Sequence, residues 1–306
     1  MVLKKIALTG ASGMIGSQVI STSIERGISC VATSRTRPKR MPNESLWLHW
    51  DLRDWKSIDE LNKLFSGSEA LVHVGASVPR VGGDITQPSM FDANVRACLC
   101  LGEWALRTKI PMVYLSGSTV YADPYKIGIK ETDPKTSNGL GGFYGFSKLL
   151  AEELLLHLTH NGLMLCILRP SSVYGYGLPK GKMITNFIDK AMQGETIELR
   201  SPIEDKIDLI HANDVANAIL KVLECEIMGI FNIATENPQS VYEIAETCVR
   251  VVGKGNVKTP KAENCHETKV RFSLNCEAAR KAFGYLPELD LTRGIEKMWK
   301  DMNADL

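Results

Sequence analysis

The sequence lacks an excess of charge of either sign, since 36 Lys and Arg residues face 35 Asp and Glu residues and leave a net charge of +1. Nucleic-acid and anionic membrane surfaces attract proteins with a clustered positive excess, so we expect neither as a partner. Long apolar runs that could span a bilayer are also missing. The short apolar stretch after Lys4 and Lys5 is broken at Gly10, and this predicts a buried strand rather than a signal peptide.

Paired cysteines are lacking as well, because none of the eight cysteines forms a C-x-x-C pair. Several lie in apolar surroundings, as Cys166 does between Leu163 and Leu168. Cysteines of this kind are typical of small buried side chains in a reducing compartment. We therefore expect a cytoplasmic protein without a metal site or disulfides.

Short apolar runs alternate with stretches of helical periodicity through the first two thirds of the chain. This order, with nearly continuous apolar strands, predicts an α/β fold: a doubly wound Rossmann parallel sheet with a smaller C-terminal substrate lobe. The predicted strands are 5–9, 30–33, 70–74, 112–115, 163–168 and 229–233, the predicted helices are 15–26, 58–65, 94–108, 144–158 and 183–192, and 208–223 is predicted as a strand leading into a helix.

The rhythm changes after Tyr174, where a loop rich in Gly, Lys and Pro follows. We interpret residues 1–173 as a dinucleotide-binding Rossmann domain, to which 208–235 return. Residues 174–306 are otherwise predicted to form the substrate-binding lobe.

A glycine-rich turn joins the first predicted strand to the first predicted helix. Gly10 permits the tight turn, Gly13 lets the backbone approach a pyrophosphate, and Gly16 lets helix and strand pack closely. The N–H groups at the helix N-terminus are suited to the phosphates. The turn, which also contains Ser12, Met14 and Ile15, therefore predicts a dinucleotide site.

The end of the second strand indicates which dinucleotide is bound. An acidic residue that would hold the ribose hydroxyl of NAD is absent, and Ser34, Arg35 and Arg37 occupy this segment. A hydroxyl and guanidinium groups suit a 2′-phosphate, which favours NADP and leaves NAD possible.

Tyr144 and Lys148 are spaced by four residues at the start of a predicted helix and therefore share one face. A free phenol titrates near pH ~10. A nearby ammonium stabilises the phenolate, so this spacing predicts an acid–base pair.

With these residues identified, the chain resembles the extended short-chain dehydrogenase/reductase family, whose best-known members are NAD-dependent sugar-nucleotide epimerases and dehydratases. The similarity runs nearly end to end. Besides the turn, Tyr144 and Lys148, it covers Asp51-Leu52, Gly75-Ala76, Asn94, 116–121, 169–175, 211–216 and 231–234.

The resemblance implies roles for these residues. Tyr144 is the acid–base group, and Lys148 holds the nicotinamide ribose and tunes Tyr144. Asn94 is structural. It also implies a nucleotide sugar as the substrate and a homodimer. The remaining cofactor contacts that it implies are Asp51 and Leu52 at the adenine, Gly75 and Ala76 after the third strand, and Pro170, Ser172 and Val173 at the nicotinamide.

The chain differs from this family at a catalytic hydroxyl of the segment 116–121. The family has a Ser or Thr four residues before the tyrosine that ends this segment. Counting back from Tyr121 gives Gly117. We predict that Ser118, or failing that Ser116, supplies the hydroxyl. Dehydratases of the family have Asp-Glu where this chain has Ser118 and Thr119, so elimination of water is disfavoured.

A second departure concerns the substrate's phosphates. Relatives that bind a nucleoside diphosphate tend to have Arg-Asp before the strand carrying His211, where this chain has Ile207-Asp208. Other cations can bind the phosphates or belong to a solvated surface. They are Lys180, Lys182, Lys206, Lys269 and Arg271.

Two functions of different class remain open. The first is an NAD(P)-dependent epimerase or reductase acting on a sugar, with a nucleotide sugar as the expected form. The second, motivated by Gly117, is an NADP-binding protein with little or no catalysis.

Overall fold

The computed structural model of the chain describes residues 3–43, 45–79, 86–139, 141–200, 202–203, 205–260 and 271–304, apart from the side chain of Arg271. Within these ranges no helix is long and apolar enough to cross a membrane. The cysteines in the same ranges are all free, and Cys265 lies outside them.

The strands and helices are numbered in chain order. The strands are β1 (Lys5–Thr9), β2 (Ser29–Ser34), β3 (Leu46–His49), β4 (Ala70–His73), β5 (Met112–Leu115), β6 (Leu165–Pro170), β7 (Ser172–Tyr174), β8 (Thr196–Glu198), β9 (Lys206–Ile207), β10 (Leu209–His211), β11 (Gly229–Ile233), β12 (Gln239–Ser240), β13 (Asn256–Lys258) and β14 (Arg271–Phe272). The helices are α1 (Met14–Glu25), α2 (Ile58–Leu64), α3 (Gln87–Phe91), α4 (Ala97–Thr108), α5 (Gly142–Thr159), α6 (Met183–Met192), α7 (Ala212–Glu224), α8 (Val241–Val252), α9 (Glu277–Phe283) and α10 (Leu291–Asn303), with a π-helical turn at Asp92–Arg96 and a 3-10 turn at Ser118–Val120.

Seven strands form one parallel sheet in the order β11-β6-β5-β4-β1-β2-β3. From β1 the chain first builds towards β3 and then, from β4 onwards, in the opposite direction. The sheet order therefore reverses between β1 and β4, and in such folds ligands bind beyond the carboxyl ends of the strands at this reversal. The predicted doubly wound fold is confirmed.

Helices cover both faces of the sheet because side chains alternate along each strand. Ile6 and Leu8 belong to one buried cluster, which includes side chains of α1 and α7. Ala7, between them, belongs to the cluster on the other face, formed with α4 and α5. A strand that is buried on both faces has a nearly continuous apolar sequence, which is why β1 could be predicted.

Residues after Tyr174 add a third apolar cluster that joins α6, α8 and α10. Small sheets border it, in which β10 pairs with β7, β9 pairs with β12 and β14, and β13 pairs with β8. β11 returns to the main sheet beside β6. The domain boundaries given above stay a prediction.

One predicted helix is interrupted. The segment 94–108 is a π-helical turn, Asp92–Arg96, followed by α4, and the short helix α3 precedes it. Asn94 lies in this turn and accepts a hydrogen bond from the Ser77 backbone (2.6 Å). Its amide donates to the Ser77 carbonyl and to the Ser147 hydroxyl, each at 3.0 Å. The π turn thus directs Asn94 to tie the loop after β4 to α5.

Candidate active site

The turn 10–16 has no space for a side chain at Gly10 or at Gly16. Gly10 has φ of +77°, and a Cβ on it would lie 2.5 Å from the Gly75 Cα. A Cβ on Gly16 would collide with the Gly10 carbonyl oxygen. Gly13 caps α1 without a side-chain hydrogen bond, and the first turn of α1 carries no acidic residue. The N–H groups of this helix end can therefore bind an anion, and the turn fits a pyrophosphate.

Asp51 and Leu52 lie beside this turn. A Cβ on Gly75 would meet the Leu52 Cδ1 at 2.8 Å, so Leu52 packs directly on Gly75. The Asp51 carboxylate accepts hydrogen bonds from the Arg53 guanidinium (2.5–3.1 Å). These bonds, and more weakly the charge of Arg35, hold the pKa of Asp51 below its usual value.

Ser34 ends β2 in a position where its hydroxyl is already used. It donates to the Thr36 carbonyl (2.7 Å) and accepts from the indole N–H of Trp47 (3.0 Å). Arg35 and Arg37, in contrast, are exposed. Of the residues predicted at the 2′-phosphate, Arg35 is thus exposed near Asp51, whereas the Ser34 hydroxyl already donates its proton to Thr36.

Lys148 lies buried under the carboxyl end of β5. Its ammonium donates to the Leu115 carbonyl (2.8 Å) and lies 4.8 Å from the centre of the Tyr114 ring. Burial lowers the pKa of Lys148 to about 8. The expectation that Lys148 favours the Tyr144 phenolate is not met here, because burial raises the pKa of Tyr144 to about 12. Tyr144 is accordingly protonated at neutral pH.

Unpaired polar atoms collect around this pair. Buried polar groups are satisfied in roughly 90% of cases, yet five buried atoms at or just beyond the carboxyl ends of β4, β5 and β6 have no partner among the described residues. They are His73 Nε2, the Tyr114 hydroxyl, Ser116 Oγ, Thr119 Oγ1 and Ser171 Oγ. These unpaired groups suit a polar ligand at the edge of the sheet that also carries the glycine turn.

The residues around Gly117 are arranged differently from the sequence-based expectation. Ser116 still belongs to the sheet ladder, since its N–H donates to the Leu168 carbonyl (2.9 Å). Ser118 begins the 3-10 turn and is partly exposed. Gly117 is extended (φ 177°), and beyond its two chain neighbours the nearest atom to a Cβ on it is the Thr119 Oγ1, 3.7 Å away. Sequence reasoning considered Thr119 only as a missing carboxylate and overlooked its hydroxyl.

Pro170, Ser172 and Val173 lie where the chain leaves the main sheet. Pro170 is the last residue of β6 and pairs with Ile233 of β11. Ser172 and Val173 belong to β7, and the Ser172 side chain is exposed. The three residues therefore lie at the carboxyl end of β6.

A buried ion pair anchors α5, the helix of Tyr144 and Lys148, to the sheet. Arg169 of β6 donates to both carboxylate oxygens of Glu152, at 3.0 and 2.6 Å, and both side chains are fully buried. Arg169 also donates to the Tyr121 hydroxyl and the Glu131 carbonyl, each at 3.1 Å. Sequence reasoning did not single out this pair, although Glu152 follows Lys148 by one helical turn.

Ile207 and Asp208, which stand where relatives have Arg-Asp, are both packed into the protein. Ile207 is partly buried against the third apolar cluster. Asp208 is buried and accepts hydrogen bonds from the Thr235 N–H and hydroxyl (3.1 and 2.8 Å). Both residues therefore have structural roles. The cations Lys180 and Lys182 are exposed and Lys206 is half-buried, while Lys269 and the Arg271 side chain lie outside the described residues.

A cavity of about 370 Å³ lies elsewhere, between α8 and the start of α10. It is lined by Gln239, Glu246, Arg250 and Thr292 among others. It shares no residue with the glycine turn or the Tyr144 region, so it is not part of this site.

The chain is similar to known proteins along most of its length. The sequence profile of the NAD-dependent epimerase/dehydratase family matches residues 6–234. A putative UDP-glucose 4-epimerase of Methanocaldococcus jannaschii is 27% identical over 96% of each chain. A dTDP-4-dehydro-6-deoxy-D-allose reductase of Streptomyces bikiniensis is 26% identical over 82% of each chain. The structure of UDP-glucose 4-epimerase from Thermotoga maritima, solved with UDP-glucose, superposes with a TM-score of 0.82 at 20% identity, covering 98% of this chain and 99% of that one.

Proposed function

This chain belongs to the NAD-dependent epimerase/dehydratase family, and on that premise we propose that it transfers hydride to or from a nucleotide sugar with Tyr144 and Lys148 as the acid–base pair. The observation that carries the proposal is their placement. Both lie on the first turns of α5, and Lys148 is held at the carboxyl end of β5. That edge of the sheet also carries the glycine turn.

The cofactor is proposed from the chemistry of the turn. Gly10, Gly13 and Gly16 would hold the pyrophosphate, and Asp51, Leu52, Gly75 and Ala76 would surround the adenosine. When bound, a nicotinamide supplies the acceptor or donor of hydride. The protein's part is to bind it at the edge of the sheet and to keep water away from the reacting carbon.

Tyr144 is the proposed acid–base group, which exchanges a proton with the substrate oxygen. With its pKa raised to about 12 by burial, it donates a proton to the substrate oxygen when a keto group is reduced. In the oxidative direction the phenolate that remains after Tyr144 has given up its proton takes the proton from the sugar hydroxyl. Lys148, with a pKa near 8, keeps a positive charge beside Tyr114 at neutral pH and binds the cofactor's ribose.

Epimerase and reductase remain alternatives. An epimerase uses both directions and regenerates its cofactor, whereas a reductase consumes reduced cofactor once per turnover. Cofactor that stays bound through purification favours the epimerase, and freely exchanging NADPH favours the reductase. A binding protein with little catalysis is the second candidate, and Gly117 is the residue that favours it.

Thermal-shift screening against NAD, NADP and a panel of UDP-, GDP-, CDP- and dTDP-sugars tests the substrate class. We expect one cofactor and at least one nucleotide sugar to raise Tm, because ligands that bind the native state stabilise it. A protein whose Tm responds to a cofactor but to no nucleotide sugar contradicts the proposed substrate.

NADP is the proposed form of the cofactor, and Arg35 is the residue that supports it. A charge-assisted hydrogen bond contributes about 1.5–3 kcal/mol, so Arg35→Ala should weaken NADP binding roughly 10- to 150-fold and leave NAD binding unchanged. Arg107→Ala, at an exposed arginine of α4, is the matched control. Equal Kd values for NAD and NADP in the wild type would refute this preference.

A homodimer and a cytoplasmic location are also proposals. Light scattering of the purified chain tests the former, and a monomer at micromolar concentration contradicts it.

A further inference from the structure

Thr119 is fixed against the helix that carries Tyr144. A Cβ on Gly141 would lie 2.9 Å from the Thr119 Cβ, and a Cβ on Gly145 would lie 2.8 Å from the Thr119 carbonyl oxygen. These two glycines bracket Tyr144 in the sequence. The 3-10 turn therefore packs directly on the first turn of α5, and Thr119 cannot move independently of the backbone that positions Tyr144.

The Thr119 hydroxyl is buried and has no hydrogen-bond partner among the described residues. Threonine hydroxyls in turns usually bond to a nearby backbone group, as Thr159 does with the Leu156 carbonyl (2.6 Å). The free donor of Thr119 is therefore available to a ligand that reaches it.

Space for such a ligand exists at Gly117. Leaving aside its two chain neighbours, the nearest atom to a Cβ there is the Thr119 Oγ1 at 3.7 Å. The extended φ of 177° is one that any residue adopts, so the backbone does not require glycine. The missing side chain leaves open the volume next to the Thr119 hydroxyl.

The two serines beside Gly117 are the alternatives to Thr119. Ser116 also has a buried, unpaired hydroxyl, but its N–H is still hydrogen-bonded in the ladder to β6, and side-chain alternation puts its side chain on the same face of the sheet as Tyr114. Ser118 is half-buried, as Thr119 is, and its hydroxyl is not among the buried unpaired atoms of the described residues. Of the three residues, Thr119 is the one whose atoms lie nearest to Gly141 and Gly145 on the helix of Tyr144.

We propose that Thr119 is a catalytic residue whose hydroxyl donates the second hydrogen bond, beside that of Tyr144, to the reacting oxygen of the substrate. This inference rests on the proposed function. An oxygen on which negative charge develops is stabilised by donors fixed in advance, and the packing of Thr119 on Gly141 and Gly145 provides that rigidity. The hydroxyl keeps its own proton, and the proton that is transferred comes from Tyr144.

The test compares Thr119→Val with Thr119→Ser and, as the matched control, with Thr159→Val. Removing one such donor lowers kcat about 10²- to 10³-fold, so we expect that loss in Thr119→Val, with cofactor Kd and Tm unchanged. Thr119→Ser should retain most activity. Adding Gly117→Ser to Thr119→Val should restore turnover, because the new hydroxyl enters the volume next to position 119.

Tyr144→Phe, measured in parallel, separates this inference from the proposed function. If Tyr144→Phe is inactive while Thr119→Val turns over normally, the role of Thr119 is refuted and the proposed function stands. A loss in Ser118→Ala or Ser116→Ala with a silent Thr119→Val likewise returns the hydroxyl to those serines and overturns the proposal. If Tyr144→Phe is itself fully active, the proposed function fails, and the role of Thr119 fails with it.

Discussion

Replacing Glu152 with Gln should destabilise the protein far more than the same change at the adjacent Glu153. Glu152 and Arg169 are fully buried, so the change leaves the Arg169 charge without its counter-ion. Breaking a buried pair from one side costs about 3–5 kcal/mol. Glu153 pairs with Lys135 at 3.2 Å on the surface and is 54% exposed, where such a pair contributes about 0–1 kcal/mol.

The size of this effect can be converted into a melting temperature. Unfolding entropy scales with chain length at about 2.1 cal/mol/K per residue, so for 306 residues we expect Glu152→Gln to lower Tm by roughly 5–8 °C. Calorimetry of both variants at pH 7 is the assay. Equal Tm shifts in Glu152→Gln and Glu153→Gln would refute the reasoning, because they would mean that the buried pair contributes no more than the exposed one.

Two further predictions concern the turn and the pH dependence of stability. Gly10→Ala should abolish cofactor binding, measured by fluorescence titration, because its Cβ would lie 2.5 Å from Gly75. Gly27→Ala is the control, since Gly27 also has a positive φ but a Cβ there would meet nothing within 4 Å. It should cost about 1 kcal/mol of strain and leave cofactor binding intact. Burial lowers the pKa of His211 to about 4, so between pH 6.5 and 4 the unfolded chain binds more protons than the folded one. The stability that neutral His211 contributes is complete above pH 6.5 and is lost as the pH falls towards 4. In urea unfolding, the free energy of unfolding of the wild type should fall by about 2 kcal/mol more between pH 7.5 and 5 than that of His211→Asn. The asparagine keeps a hydrogen-bond acceptor for the first turn of α7. Equal falls in the two proteins would contradict this prediction.

Much of the fold could be predicted because the central strands are buried on both faces. β5, α6 and β11 have the predicted bounds, Met112–Leu115, Met183–Met192 and Gly229–Ile233. β3 was missed, since this edge strand is only partly buried and its apolar run, Leu46 to Leu48, is three residues long. β9, β12 and β14 are two residues long, and pairing between distant segments rather than local pattern creates them.

The site could be predicted as far as its local motifs reach. The glycine turn and the spacing of Tyr144 and Lys148 are written in short segments of sequence. Whether a hydroxyl is free to bind a ligand cannot be predicted from a short segment, because it depends on what surrounds the hydroxyl after folding. Ser34 looked free in the sequence and is engaged by Trp47, whereas Thr119 looked unremarkable and is left without a partner.

The sign of the Tyr144 pKa shift was wrong for a related reason. The spacing of Tyr144 and Lys148 shows that they share a helix face, but not where the ammonium points. In the structure Lys148 donates to the Leu115 carbonyl, and burial alone governs the phenol.

The central claim is that Tyr144 moves the proton while hydride passes between a nicotinamide and a nucleotide sugar. The most direct measurement is rapid mixing of cofactor-loaded wild type and Tyr144→Phe with the nucleotide sugars that raise Tm, followed by the absorbance of reduced nicotinamide. We predict a transient or steady change in the wild type and a rate lower by about 10²- to 10⁴-fold in Tyr144→Phe, with equal cofactor affinity in both. An absorbance change of the same rate in Tyr144→Phe, or none in the wild type with any sugar that binds, would contradict the account.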